Sequence, residues 1–288
     1  MNLRETLKSG KFTVTAEVGP PKGIDTRDFL EKADLLKDRV CAVNVTDQQS
    51  AVMRLGSLAG CVLLRERGIE PVFQMTCRDR NRIALQSDLL NASVLGIENV
   101  LCITGDHMAL GDHPQAKPVF DIDSVSLLQA AREMEHGQDM NGIELQGSPH
   151  FFLGASVTPG ADPLEPQLIK MEKKVKAGAQ FFQTQAVYEP DKFEEFMQEA
   201  KKFGVPVLVG IVLVKSAGMA RYMNKNVAGV HVPDDLIEGL EKAENKLQKG
   251  IEIAARLIKE MRDMCQGVHI MAIGLESQVP AILDAAGL

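Results

Sequence analysis

The chain has 288 residues, 45% hydrophobic and 25% charged, which is enough for one large core or two ordinary ones. A net charge of −7 without a long Lys/Arg run argues against nucleic acid or an anionic membrane as partner. No stretch reaches the ~18 uninterrupted apolar residues of a membrane span, and the charged start Met1 to Glu5 lacks a signal peptide's apolar segment, so the expected location is the cytoplasm.

Five cysteines, an odd number with no C-x-x-C pair, speak against a disulfide framework and against a zinc or iron–sulfur site within the chain. Neither a G-x-G-x-x-G turn nor a P-loop is present, so a Rossmann or P-loop nucleotide site is not expected.

Leu3 to Ser9 reads as a short helix closed by Gly10, and Phe12 to Val18 as a first strand cut by Pro20 and Pro21 just after Glu17. Asp25 is the expected N-cap of a helix with Phe29, Ala33 and Leu36 on one face. Cys41 to Thr46 forms a second strand, followed by a helix to about Arg67 that Gly68 stops. Pro71 to Thr76 is a third strand ending at Thr76-Cys77-Arg78-Asp79, and Leu85, Leu89 and Ala92 stripe the next helix.

The run Val100-Leu101-Cys102-Ile103 is continuously apolar, as in a strand covered on both faces, and stops at Thr104-Gly105-Asp106-His107. Gly105 to Phe120 is then the longest loop, of a length usual for lids and binding loops. His107, Asp112 and His113 lie in it without helical His spacing or cysteine support, and no metal is expected there.

Asp123 caps a helix with Leu127, Ala131 and Met134 inward, and Gln138 to Gly147 reads as a surface excursion. Phe151 to Val157 is the fifth strand, and the helix after it carries Leu164, Leu168, Met171 and Val175 on one side. Gln180 to Gln185, the sixth, holds polar residues that are costly unless hydrogen-bonded or in contact with a ligand. Pro190 fits the first turn of the following helix. Pro206 to Val212 and Val268 to Ile273 complete the strands, separated by helical material from about Ala217 to Cys265, and a last helix runs from about Ser277 to Ala286.

Eight strand-like runs with helices between them predict an α/β fold, a single-domain (β/α)8 TIM barrel over residues 1–288. In such a barrel the carboxyl ends of the strands meet at one mouth, which would bring Glu17, Thr46, Gln74, Asp106, Ala155 and Gln185 together.

In order along the chain, Thr15-Ala16-Glu17-Val18-Gly19-Pro20-Pro21, Asn44-Val45-Thr46, Met75-Thr76-Cys77, Ile103-Thr104-Gly105-Asp106, Lys174-Val175-Lys176-Ala177-Gly178-Ala179 and Thr184-Gln185 resemble the methylenetetrahydrofolate reductase family. The resemblance spans nearly the whole chain. It implies a flavin-containing barrel that reduces 5,10-methylenetetrahydrofolate to 5-methyltetrahydrofolate. It further implies Glu17 as the general acid that protonates the folate as its one-carbon bridge opens, Asp106 as a charge beside flavin and folate, and Gln185 as an amide on the pterin. Thr46, Gln74, Thr104, Gly105, Asp106, Ala155 and Lys174 match flavin-contacting positions, with Lys174 on a phosphate.

The chain departs from many bacterial relatives where Gln74 stands for His, Thr104 for Arg, Gln167 for Asp, Ala217 for an aromatic and Leu275 for Arg. Those departures leave FAD, which the resemblance implies, and FMN both open. They also leave open whether electrons come from NAD(P)H or from an iron–sulfur partner subunit in an oligomer. Two other readings stay open: a pterin-binding barrel that transfers a methyl group without flavin, and a non-catalytic barrel subunit that only docks a partner.

Overall fold

The apolar runs pair side by side in the computed structural model, which describes residues 1–288. They form β1 (Thr13–Val18), β2 (Ala42–Val45), β3 (Pro71–Thr76), β4 (Asn99–Ile103), β5 (Phe152–Val157), β6 (Phe181–Ala186), β7 (Val207–Val212) and β8 (Gly267–Met271). All neighbours are parallel, and β8 returns to β1 with Thr15 opposite His269, which closes the barrel in sequence order. Closure leaves no unpaired sheet edge.

The helices are α1 (Leu3–Lys8), α2 (Arg27–Leu36), α3 (Ser57–Glu66), α4 (Arg82–Val94), α5 (Ser124–Glu135) and α6 (Glu165–Lys176). They continue as α7 (Pro190–Ala200), α8 (Ala217–Asn226), α9 (Asp234–Lys242), α10 (Lys246–Met261) and α11 (Val279–Ala286). Asn2, Asn81, Asp123, Ser216 and Asn245 cap their helices by accepting first-turn backbone N–H groups. Asp25 does not cap: its carboxylate takes the backbone N–H of Arg27 at 3.1 Å and the guanidinium at 2.9 Å, and α2 starts behind Thr26 without a side-chain cap. The helix expected directly after β2 begins only at Ser57, because Gln48, Ser50 and Ala51 hold left-handed φ values of 50°, 56° and 57°. No helix is long and apolar enough to cross a membrane.

Strand alternation splits the apolar residues into two cores. One lies between the outer face of the sheet and the helices. The other fills the barrel near the amino ends of the strands, where Ala42, Val72, Leu101, Phe152, Phe181 and Leu208 meet Leu3 and Leu7 of α1. The Phe152 and Phe181 rings stack at 4.9 Å, and Gly154 leaves the room Phe181 needs, since a Cβ there would sit 2.2 Å from its ring. With that end plugged, chemistry is confined to the opposite one. Leu3→Ala empties the plug and is expected to cost about 2–4 kcal/mol of stability, read as a lower urea midpoint at unchanged slope.

Candidate functional site

Inward-facing positions near the carboxyl ends of the strands turn polar. Thr15, Asn44, Gln183 and His269 are all buried inside the barrel. Asn44 Nδ2 donates to Gln183 Oε1 at 2.7 Å and Gln183 Nε2 donates back to Asn44 Oδ1 at 3.1 Å. Gln183 Nε2 also faces Thr15 Oγ1 at 3.2 Å, and Thr15 Oγ1 lies 2.9 Å from His269 Nδ1. This layer satisfies Gln183 of β6, while the Thr184 hydroxyl donates to the Gln185 carbonyl and accepts the Gly210 N–H.

Two residues further along β1, Glu17 is only 6% exposed. Its Oε1 accepts from Gln49 Nε2 at 3.3 Å, and its Oε2 lies 3.7 Å from His269 Nε2. Beside it on β2's end, Thr46 Oγ1 is buried with no hydrogen-bond partner. Gln74 is buried on β3, and Gln185 is exposed near the end of β6, two residues beyond the buried Gln183.

The turn after β4 depends on Gly105, whose φ is +92° and whose hypothetical Cβ would lie 3.0 Å from Thr76 Cβ. Asp106 follows with its side chain exposed. Its carbonyl accepts from Arg78 Nη1 at 3.4 Å, while Arg78 Nη2 donates to the Gln48 carbonyl at 3.2 Å and pairs with Asp79 at 2.8 Å. Arg78, 1% exposed, therefore ties the loops after β2 and β4 together. Further along, Asp112 pairs with Lys22 and His113 and accepts the Met53 N–H at 3.1 Å, and those donors hold its carboxyl well below the usual range. A cavity of about 720 Å³ lies among these loops, lined by Asp47, Arg78, Met108 and His113 among others, and reaches neither Glu17 nor Gln185.

One expected flavin contact sits differently from the sequence reading. Ala155 does not point into the mouth: it belongs to the core between sheet and helices, because alternation turns Gly154 and Ser156 inward instead. The Thr104 hydroxyl donates to Ser124 Oγ at 3.3 Å at the start of α5. Lys174, by contrast, is 5% exposed and donates to the Ser156 carbonyl at 2.5 Å, with no carboxylate within ion-pair distance. Burial, and secondly the neighbouring Lys170, pushes its ammonium down to about 8. A buried cation lacking an anion and a buried hydroxyl lacking a partner are what a phosphate-bearing, polar-ringed cofactor such as flavin would complete. Sequence reasoning missed Arg78, His269 and Lys170; the signal for His269 was a polar residue at an inward position opposite Thr15.

A sequence model of the family described as methylenetetrahydrofolate reductase matches residues 2–287. Methylenetetrahydrofolate reductase 2 of Schizosaccharomyces pombe is 30% identical over 79% of this chain, which covers 37% of that protein. The 5,10-methylenetetrahydrofolate reductase of Pectobacterium carotovorum is 23% identical over 100% of this chain and 96% of its own. The chain thus spans about a third to a half of the eukaryotic relatives it matches. Among solved structures, an uncharacterized Clostridium thermocellum protein described as binding two copies of 5-methyl-5,6,7,8-tetrahydrofolic acid superposes with a TM-score of 0.68 at 15% identity, covering 99% of both chains. That likeness shows the fold.

Lys174 releases its proton near pH 8 when folded and near the ordinary lysine value of 10.5 when unfolded, so between these the folded state binds fewer protons and stability rises with pH. Lys174→Met is expected to remove that rise and to stabilise the ligand-free protein at pH 7 by about 2–3 kcal/mol. Denaturation midpoints of both proteins at pH 7 and 10 check this, and their difference isolates Lys174 from Tyr188 and Cys77, whose raised values act in the opposite sense.

Proposed function

Because the chain belongs to the methylenetetrahydrofolate reductase family, we propose that it reduces 5,10-methylenetetrahydrofolate to 5-methyltetrahydrofolate at the carboxyl end of the barrel. The observation that carries this reading is a buried carboxyl, Glu17, at the carboxyl end of β1, with Gln49 Nε2 donating to it at 3.3 Å and the His269 ring 3.7 Å away. Flavin, when bound at the mouth, would supply the hydride chemistry.

Glu17 holds the proton that passes to the folate nitrogen leaving the one-carbon bridge. Loss of that carbon–nitrogen bond leaves the carbon doubly bonded to the pterin nitrogen as an iminium, and hydride addition there gives the methyl group. Proton and hydride together account for the two hydrogens gained. The Gln185 amide, which both donates and accepts, orients the pterin edge. Asp106 acts by its field: a fixed negative charge beside the ring disfavours an anionic reduced flavin. Thr46 and Gly105 would line the flavin ring, and Lys174 with its neighbour Lys170 would hold a phosphate.

The resemblance favours FAD, whereas Gln74, Thr104 and Gln167 offer fewer charges to an adenine dinucleotide than the residues they replace, so the mass of the released cofactor distinguishes FAD from FMN. Ala217, buried at the start of α8, provides no ring on which a nicotinamide could stack. This favours electrons from an iron–sulfur partner subunit over direct use of NAD(P)H.

Purified protein is expected to carry flavin that bleaches when 5-methyltetrahydrofolate is added without oxygen. In Glu17→Gln the bleaching rate is expected to fall about 10²-fold or more while flavin stays bound; an undiminished rate would reject Glu17 as the acid. Asp106→Asn is expected to raise the flavin potential by tens of millivolts, below a ceiling of about 90 mV for one charge at ~4 Å, as read by dye equilibration.

A further inference from the structure

The reduction leaves the cavity of about 720 Å³ without a task. It is walled by Leu58 and Val62 of α3 on one side and by Asp88 of α4 on the other, and touches none of Thr46, Gly105 and Lys174, to which the flavin is assigned. Its volume is that of a small-molecule site. We propose that this cavity is a second binding site, and that its ligand is a flat aminoheterocycle of the purine or aminopyrimidine class.

The polar floor sets the hydrogen bonds the ligand makes. Asp47, 5% exposed, takes the Thr76 N–H at 2.9 Å, the Thr76 hydroxyl at 3.0 Å and Arg80 all on Oδ2. Asp88 takes Arg80 Nη1 at 2.9 Å, again on Oδ2. In both carboxylates Oδ1 has no protein donor, yet neither oxygen is sealed from solvent, and both residues line the cavity. Arg78, by contrast, directs its hydrogens to Asp79 and to the carbonyls of Asp106 and Gln48. The open places on the floor are therefore acceptors, which call for N–H groups on the ligand.

A complementary group comes from α3, which starts behind Gly56 without a side-chain cap, so N–H groups of its first turn are left for a ligand acceptor. Amino hydrogens beside a ring nitrogen donate and accept along one edge, as the two kinds of partner require. Charge argues against an anion, because the carboxylates of Asp47, Asp79 and Asp88 outnumber the guanidiniums of Arg78 and Arg80 around the cavity. The walls set the ligand's body: Leu58, Val62 and Leu95 are apolar, and Met53 and Met108 bring thioethers, which pack well on an aromatic face.

Equilibrium dialysis of adenosine against the protein as purified tests this. Purine riboside, which lacks the amino group, and benzoate, which has a flat face but an anion in place of donors, are the comparisons. Adenosine is expected to bind with a Kd on the order of 0.1 mM, the usual efficiency for a ligand of its size, and the other two at least about fivefold more weakly. Asp88→Asn turns its oxygen to Arg80 and a donor to the cavity, and is expected to weaken adenosine about tenfold. Ala59→Phe, at an exposed position of α3 on the cavity wall, fills the space without removing a side-chain hydrogen bond and is expected to abolish binding with flavin content unchanged. Adenosine left unbound at about 2 mM, or bound equally well by either variant, overturns the proposal. Purine riboside or benzoate bound as tightly as adenosine makes the cavity a merely apolar groove and overturns it too. Should Asp88→Asn not fold, Ala59→Phe and the purine riboside comparison decide.

Discussion

The mouth rests on the hydrogen-bonded layer that crosses the barrel from Asn44 on β2 to Gln183 on β6 and on to Thr15 and His269. Two amides, a hydroxyl and an imidazole buried without partners would each carry a desolvation cost of about 1–3 kcal/mol. Paired as they are, they fix the side chains of four strands at one height. Below lies the apolar plug, sealed by α1; above lies Glu17. The layer is the boundary at which the interior changes from packing to chemistry.

Much of the barrel was legible because each strand is sandwiched between a filled interior and a shell of helices, which forces continuous apolar runs such as Val100 to Ile103. The place of Glu17 was also legible, since Pro20 and Pro21 end β1 just beyond it. Facing was harder to read. A displacement of one residue moves a side chain from mouth to core, and in an apolar run the sequence marks no inward face, so Ala155 was assigned to the mouth where Ser156 and Gly154 turn inward. Arg78 was beyond reach for another reason. Its partners are the carbonyls of Gln48 and Asp106, and carbonyls look alike in every sequence.

The loops over the mouth are held by backbone as much as by charge. Gly111 packs so closely on the Ala51 carbonyl that a Cβ would overlap it, and Asp112 gathers Lys22, His113 and the Met53 N–H, so the segments after β1, β2 and β4 share one anchor. Arg78 braces two of these segments, those after β2 and β4. Asp106 is thus carried on a turn fixed at its carbonyl while its carboxylate stays free to face a ligand.

That arrangement divides labour between two acids of the same chemical type. Glu17 is enclosed, with Gln49 donating to one of its oxygens and the His269 ring 3.7 Å from the other. Asp106 stands in solvent on a braced turn, its carboxylate open to whatever binds at the mouth. Lys174 is the counterpart on the far side: a cation drawn out of water toward the Ser156 carbonyl, destabilised until an anion arrives. The folded chain therefore leaves one buried lysine without an anion and one buried threonine hydroxyl without a partner, both groups that a ligand bringing a phosphate and a polar ring would satisfy.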